Sequence, residues 1–221
     1  MWTAPWKSCS SPPPFQLTNI IDKAMKRSKN TWDDHYARRA RKEHYAARSV
    51  YKLEEIQKKH RLIARGDRVL DLGCAPGSWL QYAALLTGER GRVVGVDIQP
   101  VAVKLPAHVE VIRADIYEIE AIAAERLSIR FQVVLSDMAP STSGSKHADG
   151  VRSFELSRVA LAIADAVLAP GGHFVCKIFQ GEDFPVFCER VKTRFGRMQI
   201  FKPQSSRKAS REIFIIGMGK K

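Results

Sequence analysis

From Gly66 onward the chain alternates between apolar runs of strand length and stretches with helical spacing, and this alternation restricts the possible fold more than any other feature. Strands are expected at Arg68–Leu72, Arg92–Asp97, Val109–Arg113, Phe131–Ser136, Gly172–Phe179, Met198–Lys202 and Glu212–Met218, and helices at Ser78–Leu86, Ala121–Leu127, Ser153–Leu168 and Phe184–Phe195. Such an order implies a mostly parallel sheet covered on both faces. The last two strands are joined only by PQSSRKASR, too short for a crossover helix, so they should pair antiparallel. The expected class is α/β, a Rossmann-like seven-stranded sheet with an antiparallel C-terminal strand.

A chain of 221 residues can build one such domain with a sizeable core and an appendage. Residues 1–24 are rich in Pro and Ser and are read as a disordered extension, or as a start-site artefact, because Met25 opens like a natural N-terminus. Residues 25–65 are read as a basic helical segment, expected from its charge to face RNA, and residues 66–221 as the α/β domain. Within the basic segment, a helix over Ser49–His60 places Val50, Leu53 and Ile56 on one face, with Lys52 beside it. No apolar run approaches the ~20 residues that span a bilayer, and the N-terminus has neither the apolar core of a signal peptide nor the arginines of a transit peptide. A cytoplasmic protein without a membrane partner is expected. Cys9, Cys74, Cys176 and Cys188 show no ligand spacing and are read as reduced thiols. The six histidines are dispersed, so no metal is expected.

The net charge of +13 and a pI near 9.8 point to a polyanionic partner. Thirteen Lys/Arg against five Asp/Glu fall between Lys26 and Arg65, interleaved with Trp32, Tyr36, Tyr45 and Tyr51; eight Lys/Arg and no acid fall between Arg190 and Arg211. Both clusters are read as backbone-tracking nucleic-acid surfaces. The segment STSGSKHADG is read as a mobile loop over the substrate, with Lys146 reaching phosphate.

The first strand runs into Leu72-Gly73-Cys74-Ala75-Pro76-Gly77-Ser78-Trp79, and the second ends at Asp97, twenty positions beyond Gly77, where a carboxylate can take both hydroxyls of a ribose. A dinucleotide site needs G-x-G-x-x-G, so that backbone amides can approach a pyrophosphate. Here the spacing is G-x-x-x-G, and Pro76 removes an N–H. S-adenosylmethionine carries no phosphate and does not need those amides, so methyl transfer is favoured over hydride transfer. Asp115, after the third strand, is placed to accept from an adenine amino group; its alternative role is a helix N-cap.

Four polar residues stand in short stretches of conspicuous composition: Lys52 in ARSVYKLEEI, Asp137 in VVLSDMAP, Lys177 in FVCKIFQG and Glu212 in SSRKASREIF. A lysine inside an apolar strand is costly to desolvate unless it has a partner or a task. With DLGCAPGSW, LAPGG and KPQSSRKASREIFI, these stretches resemble the RrmJ/FtsJ family of ribose 2'-O-methyltransferases over roughly Thr31 to Gly219. The resemblance implies a Lys-Asp-Lys-Glu tetrad at Lys52, Asp137, Lys177 and Glu212, and cofactor contacts at Gly73, Gly77, Trp79, Asp97, Asp115 and Asp137. It also implies a uridine in 23S rRNA of the assembled large ribosomal subunit as acceptor, and a monomeric enzyme. Ser78 stands where most bacterial relatives have glycine.

Displacement at a sulfonium needs acceptor oxygen, methyl carbon and sulfur in line, and the 2'-hydroxyl must lose its proton. An ammonium cannot take that proton. Burial, a second lysine and the sulfonium all favour a neutral amine at Lys177, which makes Lys177 the expected general base. Lys52 and Glu212 would orient the ribose and tune the base, and Asp137 would hold Lys177. Two alternatives stay open: methylation of tRNA by the same tetrad, and a non-catalytic RNA-binding assembly factor.

Overall fold

The structure, a computed structural model, describes residues 31–119, 129–141, 143–207 and 209–221. The extension over residues 1–24, Cys9 and the expected helix at Ala121–Leu127 lie outside them. From Tyr36 to Lys221 the chain forms one compact unit. Its strands are β1 (Arg68–Leu72), β2 (Arg92–Asp97), β3 (Val109–Arg113), β4 (Phe131–Ser136), β5 (Leu168–Phe179), β6 (Phe195–Phe201) and β7 (Glu212–Lys220). Its helices are α1 (Thr31–Lys42), α2 (Val50–His60), α3 (Ser78–Thr87), α4 (Lys146–Val167) and α5 (Phe184–Arg194). The sheet order is β3-β2-β1-β4-β5-β7-β6, parallel except for β7, which runs antiparallel to both neighbours.

Alternation along each strand sorts side chains to two cores. Val69, Val133, Leu135, Val175, Phe214 and Ile216 pack under α2 and α3, against Leu53, Ile56, Trp79 and Leu80. Leu70, Val134, Phe174, Cys176, Ile213 and Ile215 pack under α4 and α5, against Val159, Ile163, Phe187 and Val191. Each fully buried side chain of this kind contributes about 1.5–3 kcal/mol. The parallel strands deliver their C-terminal ends, and the start of antiparallel β7, to one edge of the sheet, so Asp97, Asp137, Lys177 and Glu212 come together there.

Helix α4 begins two turns before its expected start at Ser153. The Ser145 hydroxyl accepts the Ala148 N–H, and the buried Asp149 carboxylate accepts the N–H and hydroxyl of Ser143 at 2.8 and 2.9 Å. Side-chain capping thus outweighs the low helix propensity of Gly150, and Lys146 to Gly150 are helix, not loop.

Candidate active site

At the C-terminal edge of the sheet, Asp137 stands between two lysines. Its Oδ1 lies 3.0 Å from Lys177 Nζ and 3.4 Å from Lys52 Nζ, and Lys177 also donates to the Asp137 carbonyl. Lys52 Nζ reaches both carboxylate oxygens of Glu212, at 3.0 and 3.1 Å, and sits 5.7 Å from the centroid of the Phe214 ring. All four side chains are at most 15% exposed, Lys177 least at 5%. Two ammonium and two carboxylate groups therefore share one sparsely hydrated space, where charge-assisted contacts are strong and an unbalanced charge is costly.

Each member is held by a separate element. Ser157 of α4 donates to the Lys177 carbonyl at 3.1 Å, and the Phe179 N–H donates to the Ser153 hydroxyl at 2.9 Å, bolting the end of β5 to the helix. Glu212 opens β7, directly opposite Phe179. The loop leading to it is clasped by α2 and the residues just before it: Glu55 of α2 accepts the N–H groups of Gln204 and Ser205 at 2.6 and 2.9 Å, and Arg48, ahead of the helix, donates to the Ser205 carbonyl at 2.8 Å. Helix α2 thus supplies Lys52 and positions the loop that brings Glu212. No local spacing signals this role for Glu55, whose partners are 149 and 150 positions away.

Beside the tetrad lies a cavity of about 530 Å3, bordered by Gly73, Asp97, Asp115, Tyr117, Asp137 and Met138. Asp97 accepts the N–H groups of Ala75 and Gln99 at 2.8 and 2.7 Å, which locks the β1–α3 turn to the end of β2. Gly73 is at φ 76°, and a Cβ there would lie 2.3 Å from Met138 Cγ; Gly77 is at φ 111°, and a Cβ there would lie 2.6 Å from Val103. Both glycines are required sterically. Asp115 Oδ1 accepts the Tyr117 N–H at 3.0 Å, capping the helical turn at 116–119, and the residue also lines the cavity.

Trp79 is not brought to this cavity. It is buried in the core, stacks on Phe214 at 5.9 Å and donates from Nε1 to the Ser49 carbonyl at 2.8 Å. The Ser49 and Ser78 hydroxyls meet at 2.8 Å, so Trp79 and Ser78 join the start of α3 to the start of α2, one turn from Lys52. The structure adds Asp71, in the interior of β1, 1% exposed and with no hydrogen-bond partner for Oδ2. Burial, then the nearby Asp137 and Asp97 carboxylates, push its carboxyl well above the usual range. An acid inside the apolar run VLDL carries the same kind of signal as Lys177 does in FVCKIF.

The basic clusters divide. Tyr51 is buried, its ring 5.4 Å from that of Tyr36 and 4.2 Å from the Arg39 guanidinium, and Arg39 pairs with Glu43 and Glu54 at 2.8 and 3.5 Å. Tyr36, Tyr51 and Arg39 thus build a small core where the sequence suggested stacking platforms. Arg38 and Arg41 are exposed. Lys202, Arg207 and Arg211 fall between β6 and β7, toward the tetrad edge. Lys192 and Arg194 end α5 at the opposite edge, paired with Glu189 and Asp165. Cys74, Cys176 and Cys188 are buried free thiols, and burial raises Cys176 to about 12. Among the described residues no group of three or more His, Cys, Asp or Glu side chains could hold a metal ion, and no helix is long and apolar enough to cross a membrane.

A doubly wound sheet with an antiparallel seventh strand, whose first turn offers no cradle for a pyrophosphate, is the Rossmann-like class I fold of the S-adenosylmethionine-dependent methyltransferases. Residues 45–220 match the family described as FtsJ-like methyltransferase, and the chain belongs to that family. It is 54% identical over 196 residues to ribosomal RNA large subunit methyltransferase E of Desulforapulum autotrophicum, covering 89% of this chain and 97% of that one. It is 48% identical to the protein of that name from Bdellovibrio bacteriovorus, covering 85% and 97%. In fold it resembles Aeropyrum pernix fibrillarin, solved with natively bound S-adenosyl-L-methionine, at a TM-score of 0.54 and 19% identity over 71% of this chain and 68% of that one.

Proposed function

We propose that this chain uses S-adenosylmethionine to methylate the ribose 2'-hydroxyl of a uridine in large-subunit ribosomal RNA, with Lys177 as general base. The observation that carries the reading is the convergence of Lys52, Asp137, Lys177 and Glu212 on one buried point beside the 530 Å3 cavity. The names of the relatives favour ribosomal RNA over tRNA as substrate. An intact buried tetrad speaks against a pure binding role, since burying two lysines has no use in a binder.

The cavity suits the cofactor: Asp97 can accept from ribose hydroxyls, Asp115 can accept from the adenine amino group, and glycine at 73 leaves room beside Met138. Bound there, S-adenosylmethionine supplies a methyl group on a sulfonium cation. The tetrad alone balances two positive against two negative charges. Of the two lysines, Lys177 has the less contact with water and is the one that serves as base, in its neutral form. The neutral amine then accepts the 2'-hydroxyl proton, while Asp137 keeps Lys177 in place and Lys52, anchored by Glu212, orients the ribose.

The test is single-turnover methyl transfer to large subunits from cells lacking the enzyme, with the product digested to nucleosides. We expect 2'-O-methyluridine, and a fall on the order of a hundredfold or more in Lys177→Ala with cofactor affinity retained. Lys177→Arg should not rescue the rate, because a guanidinium stays protonated. A methyl group on a base, or near-wild-type rates in either variant, overturns the reading.

A further inference from the structure

A second cavity opens at the same edge of the sheet, on the α4 side, and none of its walls belongs to the tetrad or to the cofactor cavity. It has a volume of about 250 Å3 and lies between the first turns of α4, the turn at 180–184 and Arg211. Phe154, Phe179 and Phe184 line it, each only half-buried. Phe154 is fixed edge-on against Phe187 at 6.4 Å, with the Arg190 guanidinium 5.5 Å from its ring centroid. Arg211 is held at the mouth by a 2.9 Å bond to the Lys146 carbonyl and lies 5.9 Å from the Phe179 ring. Phe179 is the register partner of Glu212, so one wall of the cavity is a single strand pair away from the tetrad.

We propose that this cavity binds the base of a nucleotide adjacent to the acceptor on the same RNA strand, an assignment that rests on the ribose-methylation reading above. A space of this size falls just below the ~300–1,000 Å3 of ordinary ligand pockets, so it takes one planar group and not a second cofactor. Aromatic walls stack on the π-face of any base. Lys146 and Arg211 give the polyanionic backbone a basic rim. Glu182 and Asp183 contribute carboxylates to the lining, which can accept from base N–H groups and repel phosphate, so the base and not the backbone enters. The same contacts would hold the strand in register while Lys52 aligns the ribose.

Gly150 also lines the cavity, and a Cβ there meets nothing within 4 Å, so a side chain can leave the backbone at this position and occupy the space. The experiment is steady-state methylation of large subunits from cells lacking the enzyme by wild type, Gly150→Trp and Phe184→Ala, with thermal melting and S-adenosylmethionine affinity measured alongside. Gly150→Trp and Phe184→Ala are expected to raise KM for the subunit about tenfold or more, the scale of one base–aromatic stack. In both variants kcat and cofactor affinity should stay near wild type. Ultraviolet cross-linking of wild type to the same subunits should place a nucleotide adduct on Phe154, Phe179 or Phe184, and Gly150→Trp should lose it. Unchanged KM in both cavity variants overturns the proposal, as do adducts confined to other residues. Nucleoside analysis of the wild-type product separates the two readings: a methylated base would sink ribose methylation while leaving the KM and cross-link results to decide the cavity.

Discussion

Lys52 and Glu212, 160 positions apart in the chain, meet with Nζ 3.1 Å from Oε2 and 3.0 Å from Oε1. The contact depends on α2 twice, since Lys52 belongs to its first turn and Glu55, about one turn further along, holds the loop that leads to Glu212. Helix α2 is thus part of the scaffold of the tetrad, packed by Leu53 and Ile56 onto the same core as Trp79 and Phe214.

Glu55→Ala should remove the clasp on Gln204 and Ser205. Two backbone N–H groups would be left without their acceptor, at a cost of about 1–3 kcal/mol in folding stability. Single-turnover methylation should fall while S-adenosylmethionine affinity holds, because the cofactor cavity contains no residue of this loop. Denaturant unfolding and cofactor titration check both halves, and Glu55→Gln should recover part of the rate by keeping an acceptor.

The cofactor assignment makes Asp97 decisive. Wild type should bind S-adenosylmethionine and not NAD in calorimetric titration, and Asp97→Ala should lose about 1.5–3 kcal/mol of binding through a missing charge-assisted hydrogen bond. Tight NAD binding without a response to S-adenosylmethionine would refute it.

Asp71 predicts an unusual dependence of stability on pH. Its folded-state carboxyl is raised well above the ordinary 3.8, so above that pH the unfolded chain releases a proton that the folded chain keeps. The folded state then binds more protons, and stability falls as pH rises from about 4, by up to about 1.4 kcal/mol per pH unit, until Asp71 itself ionises. Asp71→Asn should abolish this slope and gain stability relative to wild type toward neutral pH. Urea unfolding between pH 4 and 8 measures it, and identical slopes would show that Asp71 is ionised in the fold.

RNA affinity should follow the division of the basic residues. Charge reversal at Arg38 and Arg41 should flatten the dependence of log affinity on log salt by about 0.7–0.9 for each phosphate no longer neutralised. Reversal at Lys192 and Arg194, at the far edge of the sheet and paired with Glu189 and Asp165, should leave the slope unchanged. Filter binding across a salt series distinguishes the sets.

Much of the site was legible because costly residues betray themselves. A lysine in FVCKIF, a carboxylate at the end of VVLSD and glycines at 73 and 77 each break a local rule, and the structure gives each a partner or a steric need. Apolar periodicity likewise placed all seven strands, since burial on two faces leaves a period that can be read residue by residue, and the short connection PQSSRKASR gave the antiparallel pairing of β6 with β7. Helix α4 shows where that reading gives out: its first turns carry little apolar pattern, and what makes them helical is the capping by Ser145 and the Asp149–Ser143 contact.

Only the tertiary structure decided which polar residues serve the site and which serve the core. Trp79, Tyr51 and Arg39 have the composition of ligand-binding residues and are spent on packing, whereas Glu55 looked ordinary and holds the loop that leads to Glu212. The physical reason is that local sequence determines what it costs to bury a group, through its own charge and the apolarity of its neighbours. Whether that cost is met depends on partners brought from distant parts of the chain, and those partners exist only once the sheet has set β5, β7 and α2 side by side.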